Sequence, residues 1–85
     1  MPEITPDQSR AARSLLEMSE ESLAAAANVG LATLRSFEAG LNMPTSNSLR
    51  SIRLALEHAG VDLVPDTGSG AGVRLAARGG NVSRA

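Results

Sequence analysis

Along the first sixty positions apolar residues recur at spacings of three and four, with polar residues between them, which is the periodicity of amphipathic helices. Thr5 followed by Pro6 marks a helix start, because proline at the first helical position gives up an N–H that has no partner there anyway. Ala11, Ala12, Leu15 and Leu16 supply that helix with an apolar stripe, and it ends near Glu17; residues 1–4 read as a frayed lead. Ser19 stands at an N-cap position, with Glu20 and Glu21 in the first turn, where acids suit the helix dipole. Leu23, Ala24 and Ala27 then share one face of a second helix over 20–27. Asn28 fits a tight left-handed turn, Val29 packs inward, and Gly30 caps a third helix over 31–39 whose buried stripe is Leu34 and Phe37. Gly40 closes it. Leu41-Asn42-Met43-Pro44 is a loop, with Leu41 and Met43 expected to tuck into the core. Thr45 or Ser46 caps a fourth helix running to about Ala59, with Leu49, Ile52, Leu56 and Ala59 as its stripe and Gly60 as its end.

After Gly60 the pattern changes. Val61–Val64 reads as a short strand, Pro65 to Gly72 (PDTGSGAG) as a turn-rich loop, and Gly72–Ala76 as a second strand. A lone hairpin is marginal in water, and its exposed edge is a natural place to pair with a second subunit. The tail, residues 78–85, is Gly-rich and expected to be disordered. The organisation is therefore a helical domain over 1–60, a strand or hairpin segment over 61–77 and a tail over 78–85.

The stretch 20–39 has the form of two short helices joined by a tight turn, an arrangement that can stand its second helix in a DNA major groove. Leu23-Ala24, Val29, Thr33-Leu34, Phe37-Glu38 and Gly40, followed by Pro44 and the set Leu49, Ile52 and Leu56, resemble the helix-turn-helix of phage repressor, Cro and XRE-like regulators over roughly residues 5–60. The resemblance implies an all-α domain of four or five helices, lambda-repressor-like, here with a short C-terminal hairpin, that binds operators, usually as a dimer. Asn28 replaces the commoner glycine, and Gly30 the commoner Ser or Thr cap, at a cost of about 0.3 kcal/mol. Glu20 stands where the family often has a Gln touching a phosphate; an acid there repels the backbone.

Composition narrows the choice. The 85-residue chain is of single-domain size and has no cysteine, which excludes disulfides, thiol catalysis and cysteine-ligated zinc. One histidine leaves little for a transition metal, and neither a metal nor a cofactor is expected. No apolar run approaches the ~20 residues of a membrane span, and the N-terminus lacks the charge and apolar stretch of a signal peptide. The expectation is thus a cytoplasmic protein with no membrane partner. No nucleophile–base set is visible, so an enzyme is not expected. Charge works against DNA: the net charge is −1, and residues 1–60 hold seven acids and five arginines, a balance of −2. DNA affinity is largely phosphate neutralisation. All eight basic residues, however, are arginines, which can fork onto guanine or phosphate.

Candidate DNA-contacting residues follow. The outward set of the third helix is Leu31, Ala32, Thr33, Arg35 and Ser36. The resemblance puts Leu31, Ala32 and Ser36 at base edges, where Leu31 and Ala32 can meet a thymine methyl and Ser36 can donate or accept. This surface is small and apolar, so specificity leans on Arg35 and on DNA shape; the plain alternative is a solvated helix face. Thr45, Ser46 and Asn47 open the fourth helix, where backbone N–H groups favour a phosphate, with plain capping as the alternative. Asn42 in the preceding loop is a weaker candidate, and Arg10 and Arg50 are either phosphate contacts or solvated. The resemblance further implies a structural ion pair between Arg13 and Glu38. Val61, Leu63, Val73 and Leu75 either form dimer contacts or close the protomer's own core. His58, and the pair Arg53–Glu57, read as surface residues.

The sequence reading is thus a homodimeric regulator of transcription, repressor-like, bound to an inverted-repeat operator in double-stranded DNA. Two rivals stand beside it. One is the antitoxin of a toxin–antitoxin pair that represses its own operon and uses its C-terminal segment on a protein partner. The other is a protein-interaction module that kept the fold and lost DNA, which the net acidity and Glu20 favour.

Overall fold

The computed structural model describes residues 4–65, 68 and 70–76. Its elements are α1 (Pro6–Leu16), α2 (Glu20–Ala27), α3 (Leu31–Glu38), α4 (Ser46–Ala59), β1 (Val61–Val64) and β2 (Gly72–Leu75). The fold is mostly helical with one small antiparallel hairpin, in the register Val61↔Leu75, Asp62↔Arg74, Leu63↔Val73 and Val64↔Gly72. The expected tail, 78–85, and residues 1–3 of the expected lead lie outside the described residues.

Local chemistry sets the helix boundaries. Thr5 caps α1 with a reciprocal capping box: its hydroxyl accepts from the Gln8 N–H at 3.1 Å, and the Gln8 carbonyl oxygen Oε1 accepts from the Thr5 N–H at 3.0 Å. Ser19 and Thr45 cap α2 and α4 by accepting from the N–H groups of Ser22 and Ser48. Three helices end alike, in a residue with positive φ that folds the chain back on the last carbonyls. These are Glu17 (φ 54°), Asn28 (φ 57°) and Gly40 (φ 77°). In each the next N–H reaches back five residues: Met18 to Arg13, Val29 to Ala24 and Leu41 to Ser36, at 2.9, 3.0 and 2.9 Å. Gly60, φ 119°, ends α4.

The core is Ile4, Ala12, Leu23, Ala24, Ala27, Leu34, Phe37, Leu49, Ile52, Leu56 and Val61, with Leu16, Met18, Val29, Leu31, Ala55, Leu63 and Val73 partly buried against it. Phe37, the sole aromatic residue, is fully buried where α3 meets the rest; full burial of a side chain this size stabilises by roughly 2–3 kcal/mol. α2 packs on both α3 and α4, and the hairpin lies over α1 and α4.

Several expectations are corrected. Ile4 is not frayed but wholly buried. The stripe of α1 is rotated: Ala12 is buried and Leu16 half-buried, but Ala11 and Leu15 are exposed, and Gln8 and Ser9 take the inward places because the helix buries polar groups that have partners there. Leu41 and Met43 do not enter the core; they are 74% and 63% exposed. The chain turns at Gly40, φ 77°, and both residues, in the loop that follows, stay at the surface. Ala59, the last residue of α4, is exposed.

Candidate nucleic-acid interface

The outward side of α3 is set by how its inward side is held. Leu34 and Phe37 anchor it to the core, and a polar network fixes its C-terminal end to α1. Glu38, 3% exposed, accepts at both carboxylate oxygens from Arg13 Nε (3.1 and 3.0 Å), and at Oε1 from Arg13 Nη2 (2.6 Å). The Ser9 hydroxyl donates to Oε2, Arg13 Nη1 donates to the Met18 carbonyl at 3.2 Å, and Arg10 Nη1 donates to the Glu38 carbonyl. The side-chain hydrogen bond to Glu38 raises the Arg13 pKa above the ordinary guanidinium value, against a smaller opposing effect of burial. A raised basic pKa means stabilisation that is fully present below the ordinary guanidinium value and lost only as pH rises through the raised one, so this link holds throughout the neutral range. The expected Arg13–Glu38 pair is thus in place, and Ser9, which no spacing rule singled out, completes it.

At its other end α3 starts from Gly30, which makes no side-chain cap bond. Its φ is −66°, and a Cβ added there would meet nothing closer than the Thr33 hydroxyl at 3.7 Å. The glycine is therefore not required by the backbone.

Of the residues expected to face DNA, Ala32 and Thr33 are exposed, Ser36 is half-buried, and Leu31 is half-buried with its side chain against the core. An open groove of about 370 Å³ is lined by Ala32, Thr33, Ser36, Asn42, Met43 and Pro44. It brings four of the expected residues together and adds Met43 and Pro44. Thr45 is exposed but its hydroxyl is engaged in capping, accepting from the Ser48 N–H and donating to the Ser48 hydroxyl, both at 3.1 Å. Ser46 and Asn47 are exposed at the start of α4. Arg10 is engaged with Asp7 and with the Glu38 carbonyl.

Arg35 is exposed on the outward side of α3, as expected, and its guanidinium is paired with acids. Its Nε lies 3.2 Å from Glu20 Oε1, and its Nη2 lies 3.2 Å from Glu21 Oε2. The guanidinium is folded back toward the start of α2, leaving the groove lined by neutral side chains. The i, i+4 pair Arg53–Glu57 forms at 3.0 Å. The four residues weighed for dimer contacts divide. Val61 is fully buried in the protomer's own core, Leu63 and Val73 are half-buried against it, and Leu75 is 58% exposed.

Among the described residues no helix is long and apolar enough to cross a membrane. Comparison of the chain with protein-family models and with curated proteins gives no match.

Proposed function

We propose that this protein is a sequence-specific DNA-binding regulator of transcription with a lambda-repressor-like helical domain, related in kind to the phage repressor, Cro and XRE-like regulators. It acts as a homodimer on an inverted repeat. The observation that carries the reading is the α2–turn–α3 unit. Its inward side is locked by Leu34, Phe37 and the Arg13–Glu38 link, while its outward side opens on a groove of small polar and apolar groups. Thr33, Ser36 and Asn42 offer donors and acceptors to base edges, and Ala32 and Met43 offer apolar contact to a thymine methyl. The start of α4 beside this groove supplies backbone N–H groups for a phosphate.

With so few long polar groups on this face, one protomer binds weakly. Two copies with half-sites about one helical turn (~34 Å) apart supply the missing affinity. Selection of bound sequences from random DNA, with the mass of the complex measured, tests the reading. A selected palindrome bound by two chains, with affinity falling steeply as salt rises, supports it. A flat salt response, or no selected sequence, sinks it.

A second reading is favoured by specific residues: the exposed Leu41, the exposed Met43 in the groove lining, and the acids Glu20 and Glu21 at the start of α2 suit a protein partner. Recovery of no DNA sequence together with saturable binding to another protein through these residues would favour that alternative.

A further inference from the structure

The geometry points to Glu20 and Glu21 as positioning residues that withhold Arg35 from DNA, so that the recognition face reads bases with neutral groups. The inference rests on the DNA-binding reading. Arg35 is the sole cation on α3, and both of its contacts are to acids at the start of α2, through Nε to Glu20 and through Nη2 to Glu21. The two acids and one arginine sum to −1. A phosphate approaching this corner therefore meets a guanidinium already shared between two carboxylates, which must be given up before it can bind. The side chains of Arg35 and Glu21 are more than half exposed, 54% and 64%, and that of Glu20 is 28% exposed; none of the three belongs to the core, so the contact can open without unpacking it. It lies across the α2–α3 turn, and Arg35 shares its helix with Ala32, Thr33 and Ser36 of the groove, so release of the guanidinium frees a long, forked donor on the same element.

The test is a cycle of four full-length proteins: wild type, E20Q/E21Q, R35A, and the triple variant. Each is titrated with the duplex that wild type selects from random DNA, over a salt series. Neutralising two acids raises affinity in any background by general charge, so the decisive quantity is the excess that depends on Arg35. A freed Arg35 that reaches one further phosphate steepens the log–log salt slope by about 0.9. That corresponds to about a threefold larger loss of affinity between 50 and 200 mM salt. This increment is expected in E20Q/E21Q and absent from the triple variant, with unchanged circular dichroism in all four.

An equal gain in both backgrounds would overturn the inference and leave the DNA reading standing. So would a loss of affinity in E20Q/E21Q, which would mean that the acids present Arg35 to DNA. If wild type selects no sequence and its binding ignores salt, the DNA reading fails first and takes the inference with it.

Discussion

Helix α3 carries two arginine–glutamate links one turn apart, and they differ in almost everything that decides what a charge pair does. At its end, Glu38 is buried with Arg13, Ser9 and a backbone carbonyl arranged around it. In its middle, Arg35 meets Glu20 and Glu21 at 3.2 Å in the open. The first is desolvated and multiply hydrogen-bonded, so loss of one partner strands the other in a poor solvent. The second is screened and replaceable by water. The same pair of residue types thus serves as a fixed joint in one place and as an adjustable latch in the other, and burial with the hydrogen bonds it encloses separates the two.

The largest expected effect breaks the joint. Glu38→Ala leaves Arg13 charged and the Ser9 hydroxyl without its acceptor, and should cost about 3–5 kcal/mol in urea denaturation. That is a large share of a small domain's stability. Combining Arg13→Met with Glu38→Leu should recover part of it; a single Glu38→Ala loss below ~1 kcal/mol would show the joint to be ornamental. A smaller effect, of opposite sign, is expected at the end of α1. Glu17→Gly should stabilise by about 1 kcal/mol, because a non-glycine residue at φ 54° carries left-handed strain. An unchanged thermal midpoint would disprove this.

Smaller still is Gly30→Ser at the start of α3, where the open space accommodates a capping hydroxyl. A gain of about 0.5 kcal/mol is expected, and a loss would mean that the cap geometry is crowded. The least effect belongs to the latch: Arg35→Ala should shift stability by no more than ~0.5 kcal/mol, and by less in high salt. A drop comparable with that of Glu38→Ala would erase the distinction between the two links.

What the sequence disclosed follows the same division. The inward half of α2 and α3 was legible because Leu23, Ala24, Leu34 and Phe37 repeat at helical spacing, and Asn28 and Gly40 are residue types suited to left-handed turns. Glu17 adopts the same conformation with no such signal, its turn closed by the Met18 N–H reaching back to Arg13. The α1 stripe was misread because spacing counts carbon: Gln8 and Ser9 face inward for their hydrogen bonds, while Leu15 stays outside. Hydrophobicity alone assigns Leu41 and Met43 to the core, yet both follow the turn at Gly40 and stay exposed. The folded-back Arg35 was beyond the pattern altogether, as it depends on the angle between α2 and α3. The groove was legible in four of its six residues, Ala32, Thr33, Ser36 and Asn42, because they lie on one helix face and the loop that follows it.

Gln8 joins distant parts of the chain. Besides closing the capping box, its Nε2 donates to the carbonyls of Val64 and Gly72, the last rung of the hairpin, at 3.0 and 3.1 Å. These contacts span 56 and 64 residues. The first turn of α1 and the β-hairpin are therefore expected to open together as one cooperative unit. Hydrogen exchange should reveal this as a shared protection free energy for amides near Gln8 and along β1. Changes at the hairpin would then be felt at the root of α1, on which the Arg13 anchor of α3 is mounted.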